Sequence, residues 1–212
     1  MFNALSARQF TQMSDAITAY GVKLVICDFN GVLDDYYACK YDYLRDILGR
    51  SDAHHLATLA VFTDTEYMRD QSSSLEASIR KYFSLHKLIV DDATEKRIVI
   101  GMKQSRFTVD AQKFLEMIPV PLVVYTAQPQ EIADQYGSIA PHVDWISAQK
   151  LGNPKPSVEN LLEIMHRYAV TADEVCVIGD GLIDDLMPAK LLGMHALLVS
   201  PFADAVISRP TS

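Results

Sequence analysis

Along the chain, short unbroken apolar runs alternate with longer stretches in which apolar residues recur every three or four positions. The first pattern predicts buried strands of a parallel sheet, the second amphipathic helices. Four runs stand out: Leu24-Val25-Ile26-Cys27, Leu122-Val123-Val124-Tyr125, Val175-Cys176-Val177-Ile178 and Ala196-Leu197-Leu198-Val199. Ahead of the first, Phe2, Leu5, Phe10, Met13 and Ile17 predict a helix over residues 2–19, and a further helix over 109–118 leads to Pro119-Val120-Pro121. Gly152-Asn153-Pro154-Lys155-Pro156 reads as a stiff loop, after which Ser157 caps a helix with Val158, Leu161, Leu162 and Met165 on one face. A short helix beyond Gly181 carries Asp184 and Asp185 in or near its first turn and has Gly193 near its end.

The stretch from Asp35 to about Ser105 has no proline and a helical texture, with helices predicted over 36–48, 51–69 and 72–83. Arg97-Ile98-Val99-Ile100-Gly101 is β-branched, yet Asp92 and Glu95 resemble a helix start, and the balance predicts helix there too. The whole reads as an α/β protein. Residues 1–34 and 106–212 form a Rossmann-like parallel sheet core, and 35–105 an inserted α-helical subdomain.

Three of the apolar runs end on a polar residue: Asp28, Thr126 and Asp180. Helical crossovers between parallel strands bring all three to one sheet edge, where α/β folds hold their ligands. Asp28 taken alone reads equally well as the cap of an Asn30-Gly31 turn, and the convergence is what favours chemistry. Two carboxylates at neighbouring strand ends make a hard-oxygen site suited to Mg²⁺. A hydroxyl and a lysine nearby, Thr126 and Lys155, can hold phosphoryl oxygens, so the pattern points to phosphoryl transfer.

A net charge of -8 argues against nucleic acid or an anionic membrane as partner, and a small phosphorylated substrate would need local cations or a metal. With no apolar run near the length of a membrane span, and no signal-peptide pattern in Met1 to Tyr20, the expected location is cytoplasmic. Cys27 and Cys176 lie inside apolar runs and read as buried, inert thiols. The histidines, at 54, 55, 86, 142, 166 and 195, show no ligand spacing and read as surface or loop residues.

In order along the chain, these motifs resemble the haloacid dehalogenase-like (HAD-like) hydrolase superfamily, most of whose members are Mg²⁺-dependent phosphatases. Asp28-Phe29-Asn30-Gly31-Val32-Leu33-Asp34-Asp35 matches its Asp-x-Asp-Gly-(Thr/Val)-Leu-x-Asp motif except at Asn30. Thr126, Lys155-Pro156 and Gly179-Asp180 with Asp185 match the other three motifs, and Ala189 to Gly193 fits the usual Ala-x-x-x-Gly run. The resemblance implies that Asp28 is a nucleophile forming an aspartyl-phosphate. It implies Mg²⁺ held by Asp28, the Asn30 carbonyl, Asp180 and Asp185, with Asp184 competing for the last place. Thr126 and Lys155 would bind the phosphoryl group. The helical insert corresponds to the family's cap, where Tyr36, Tyr37, Lys40 and Tyr41 either face the substrate or form the buried side of a cap helix.

Asn30 is the departure. The family's aspartate at this place protonates the leaving group and activates water; an amide does neither, and loss of such a group typically costs about 10²- to 10⁴-fold in rate. The expected function is a Mg²⁺-dependent phosphatase-type hydrolase of a small phosphorylated metabolite with specialised turnover. The alternatives are a catalytically weakened binding or regulatory protein, or a phosphonate hydrolase or phosphotransferase, with Lys40 a candidate Schiff-base lysine. The family's dehalogenases do not need the metal site, so Asp180 and Asp185 count against that activity.

Overall fold

The computed structural model describes residues 5–35, 75–85, 87, 89, 91–102, 106–128, 130–199 and 207–208. The chain divides into two compact units, Asn3–Asp35 with Phe107–Ser212, and Met1–Phe2 with Tyr36–Arg106.

In the larger unit the strands are β1 (Leu24–Cys27), β2 (Leu122–Thr126), β3 (Asp144–Ser147), β4 (Val175–Gly179), β5 (His195–Leu198) and β6 (Ile207–Ser208). They form one sheet in the order β3-β2-β1-β4-β5-β6, parallel from β3 through β5 and antiparallel at β6. This is a Rossmann-like α/β architecture. The chain winds outward from β1 through β2 to β3, then returns to the other side of β1 to lay down β4. The carboxyl ends of β1 and β4 therefore flank the point where the winding reverses, which is where such sheets open a crevice.

Alternation along the strands sorts the core into two layers. Val25, Cys27, Val124, Cys176, Ile178 and Leu197 face a layer that holds Phe10, Met13 and Ile17 of helix Ala7–Tyr20 and Phe114 of helix Val109–Met117. Leu24, Ile26, Val123, Val175, Val177 and Ala196 face Leu161, Ile164, Leu186 and Ala189 on the other side. Burying each large side chain contributes roughly 1.5–3 kcal/mol, so strands apolar on both faces are stable only in this sandwiched position. The thiols of Cys27 and Cys176 are both buried, and burial pushes the Cys176 thiol up to about 12.

Several elements differ from the sequence expectation. The first helix starts at Ala7 because a capping box sets it: the Gln9 N–H donates to Ser6 Oγ and the Ser6 N–H to Gln9 Oε1. Strand β3 has only Trp145 and Ile146 apolar between a polar Asp144 and Ser147, too few for a clear run, and the register Thr126↔Ser147 against β2 is what orders it. On helix Val158–Tyr168 the buried positions are Asn160, Leu161 and Ile164, while Leu162, a helical step of about 100° away from Leu161, is 46% exposed. His195 is neither in a loop nor free on the surface: it lies in β5, half-buried and stacked on Tyr20 at 4.3 Å.

In the smaller unit, helices Leu75–Leu85 and Asp92–Met102 are described, the second begun by Asp91, whose Oδ1 accepts the Thr94 N–H. The β-branched 97–101 segment is thus helical, and an exposed Arg80–Glu95 ion pair at 2.8 Å joins the two helices. The helices predicted over 36–48 and 51–69 lie outside the described residues, as does the start of the one over 72–83. No described helix is long and apolar enough to cross a membrane.

Beyond β4 the expected short helix is two elements, a π-helical turn Leu182–Leu186 and an α-helix Met187–Leu191. The Leu186 N–H reaches back five residues to the Gly181 carbonyl, and the wide turn lays Asp185 directly over Gly179. A Cβ on Gly179 would overlap the Asp185 side chain. Gly179→Ala is expected to cost roughly 1–3 kcal/mol, as overpacking does. A lowered urea midpoint with unchanged slope is the readout, and an unchanged midpoint would show that Asp185 yields freely.

Candidate active site

The first apolar strand ends at Asp28, whose N–H continues the ladder by donating to the Ile178 carbonyl at 2.8 Å. Phe29 turns the other way into the core, 1% exposed, with its ring 4.5 Å from Tyr136 and 5.5 Å, edge-on, from Trp145. That anchor fixes the turn that follows. Gly31 sits at φ 79°, a conformation that favours glycine, and its N–H donates to Asp34 Oδ1 at 2.8 Å. The Asn30 amide is held at both ends: Nδ2 donates to Asp34 Oδ2 at 2.9 Å, and Oδ1 accepts from Gln128 Nε2 at 3.0 Å.

Lys155 enters from the stiff loop. The Asn160 N–H caps onto Ser157 Oγ at 3.0 Å, while Asn160 Nδ2 donates to the Asn153 carbonyl at 2.7 Å and to the Tyr125 hydroxyl at 2.8 Å. These bonds tie loop, helix and β2 together. Lys155 itself is 8% exposed and lies 4.6 Å from the centroid of the Tyr125 ring. Its Nζ donates to Asp28 Oδ1 at 2.6 Å and to Asp185 Oδ1 at 2.7 Å. The other Asp185 oxygen accepts the Gly181 N–H at 3.1 Å.

Asp180, half-buried at the end of β4, completes the group: Asp28, Asp180 and Asp185 each bring a carboxylate oxygen within 4.8 Å of the others. Asp184 is outside this set among the described residues, though it lines the same cleft with Asp28, Tyr125, Lys155, Ser157 and Asp185. Lys155 thus pairs with two of the three clustered carboxylates. Burial pushes the Asp28 carboxyl up to about 7, Lys155 pulling the other way and Asp185 reinforcing it. Burial also works against the Lys155 charge, but Asp185 and Asp28 outweigh it and hold the ammonium above its ordinary range.

Thr126 ends β2, buried, with Oγ1 accepting the Gln128 N–H at 3.1 Å. The pairing Cys27↔Val124 sets it two residues further along, beside the Asp28–Asn30 turn. The structure thus brings Asp28, Lys155, Asp180 and Asp185 together, with Thr126 and Asn30 at the same sheet edge. Tyr36 and Lys40 lie outside the described residues. Gln128 and Asp34 carried no assigned role in the sequence reading. Asp34 closes the first motif, and Gln128, a polar residue two positions past a strand end, was the available signal for the other.

A sequence model of the haloacid dehalogenase-like hydrolases matches residues 22–193. No curated protein matches the chain. Among solved structures, L-2-haloacid dehalogenase from Xanthobacter autotrophicus is similar at a TM-score of 0.64 and 17% identity, over 84% of this chain and 77% of that one. A predicted phosphoglycolate phosphatase from Haemophilus somnus 129pt is similar at 0.58 and 14% identity, over 83% and 84%. A magnesium-bound HAD hydrolase from Bacillus subtilis is similar at 0.64 and 14% identity, over 82% and 87%. At these identities the structures speak to the fold, whose sheet edge carries the four motifs in the matched segment. The chain belongs to the haloacid dehalogenase-like hydrolase family.

Proposed function

We propose that the protein is a Mg²⁺-dependent hydrolase of the phosphatase type, acting on a small phosphorylated metabolite through an aspartyl-phosphate at Asp28. The observation that carries this reading is the convergence of Asp28, Asp180 and Asp185 within 4.8 Å. An all-oxygen donor set fits Mg²⁺, and a haloacid-cleaving site would have no use for it. Asp28, Asp180, Asp185 and the backbone carbonyl of Asn30 would hold the ion, with Asp184 an auxiliary. When bound, the ion would offset charge on the phosphoryl oxygens.

The chain's own groups supply the rest. Lys155 orients the Asp28 carboxylate and offers positive charge to the phosphoryl oxygens, and the Thr126 hydroxyl is a further donor. Asp28, once ionised, attacks phosphorus through a carboxylate oxygen. Expected in an assay of phosphate release is Mg²⁺-dependent turnover that Asp28→Asn reduces to background. Turnover of haloacids by the metal-free protein, with none of phosphoryl donors, would replace this reading with the dehalogenase one.

Metal binding also has a readout without activity. A ligand at 100 times its Kd stabilises the folded state by about 2.7 kcal/mol, which for a chain of this size is roughly 5–10 °C in Tm. Saturating Mg²⁺ is expected to raise Tm by that order, and Asp180→Asn to remove most of the rise. Equal shifts in both proteins would place the ion elsewhere.

The pH dependence follows from the raised Asp28 carboxyl. With its folded pKa about 7 against an ordinary value of 3.8, the metal-free folded state binds more protons than the unfolded chain between those values. That group's contribution to stability is therefore present at low pH and falls as pH rises through the window. Mg²⁺ must displace the proton to bind, so its Tm increment is expected to grow from about pH 5.5 to about pH 8. Differential scanning fluorimetry across that range checks it, and a flat increment would mean that Asp28 is already ionised at the low end.

A further inference from the structure

We propose that Tyr125 is a positioning residue of this site: the face of its ring is the third contact that holds the Lys155 ammonium between Asp28 and Asp185, and Asn160 sets the ring. The kinetic consequence rests on the phosphoryl-transfer reading above and deepens it. The contact itself stands on geometry alone.

A lysine ammonium carries three N–H donors on a flexible four-carbon stem. Two of them donate to Asp28 Oδ1 at 2.6 Å and to Asp185 Oδ1 at 2.7 Å. Two such contacts confine the nitrogen only to a circle about the line joining the acceptor oxygens, whereas a third contact off that line confines it to a point. The Tyr125 ring supplies it, with Nζ over its face at 4.6 Å from the centroid. An ammonium within about 6 Å of an aromatic centroid is attracted by the ring quadrupole, most strongly where both groups are withdrawn from water. Here Lys155 is 8% exposed and Tyr125 4%.

The ring is held in its turn. Tyr125 belongs to the apolar layer that contains Ile26, Leu161 and Ile164, where a buried amide costs free energy unless its hydrogen bonds are made. Asn160, 1% exposed, makes them: Nδ2 donates to the Tyr125 hydroxyl at 2.8 Å and to the Asn153 carbonyl at 2.7 Å, and Oδ1 accepts from Asn153 Nδ2 at 3.3 Å. Its N–H donates to Ser157 Oγ at 3.0 Å. Asn153 and Ser157 flank Lys155 on either side in the chain, so one residue sets both the loop that carries the ammonium and the ring that receives it. Filling the layer would need only a leucine and a phenylalanine at these two places. The ring has a further consequence for the chemistry: when Asp28 turns a carboxylate oxygen to phosphorus, the ring and Asp185 still hold the ammonium where the phosphoryl oxygens arrive.

The test alters the electrons of the ring while keeping its shape. Tyr125 is replaced by phenylalanine and then by mono-, di- and trifluorinated phenylalanine, each fluorine drawing density from the ring face, and Mg²⁺-dependent hydrolysis of p-nitrophenyl phosphate is followed well below the Tm of each protein. The expected result is a kcat that falls stepwise, by roughly 3- to 30-fold from phenylalanine to the trifluorinated ring, the range such a contact is worth as it becomes desolvated. A ring that only fills space gives a flat series, and a flat series in a protein that turns over would overturn the proposal. A second readout needs no activity: protons beside an aromatic face are shifted upfield by its ring current, so in proton–carbon spectra the Lys155 ε-methylene is expected upfield of the other lysines. Tyr125→Phe should retain that shift and Tyr125→Leu should remove it. A Lys155 resonance among the other lysines in the wild-type protein, or one that Tyr125→Leu leaves in place, would overturn the proposal whatever the activity. An upfield Lys155 that Tyr125→Leu releases, in a protein that turns over no phosphoryl donor, would bear out the contact and overturn the phosphatase reading instead.

Discussion

The buried ammonium of Lys155 between Asp28 and Asp185 is the constraint to which the rest of the larger unit answers. A charge this deeply buried is tolerated only with partners at hydrogen-bonding distance, and breaking such a pair typically costs about 3–5 kcal/mol. The partners come from different places: the end of β1, a loop tied down through Asn160, and a π-helical turn that folds back over Gly179. Each of these elements has an unusual local feature, and in each the feature serves to bring one charged atom to the same point.

Burial also acts on the charges themselves. Asp28, Asp180 and Asp185 bring carboxylate oxygens within 4.8 Å of one another, and burial pushes the Asp28 carboxyl up to about 7. The strands beneath are apolar on both faces and contribute stability without regard to the polar edge.

Asn30 illustrates how an identity change alters a site without altering the fold. An amide and a carboxylate have nearly the same shape, so the turn after β1 accommodates either. One Asp34 oxygen accepts the Gly31 N–H and the other accepts Asn30 Nδ2, a bond that an amide can donate and an ionised carboxylate cannot. Gln128 completes the arrangement from the far end of β2, 98 positions along the chain.

The architecture and the edge at which the strand ends meet were legible from the sequence, because four-residue apolar runs and helical periodicity are local signals and parallel winding follows from their alternation. Asp28, Thr126 and Asp180 could be read as strand-end residues for the same reason. Elements set by pairing were not legible: β3 exists as a partner of β2, β6 pairs over two residues, and His195 sits in a strand because β4 lies beside it. Nor does periodicity reveal that the turn after Gly181 is π-helical, which is what presents Asp185 to Lys155. The sequence by itself determined which residue types the chain brings to one sheet edge. Only the tertiary structure decided which of them touch, because Lys155 meets Asp28 across 127 positions and Asp185 across 30, distances over which no local pattern carries information.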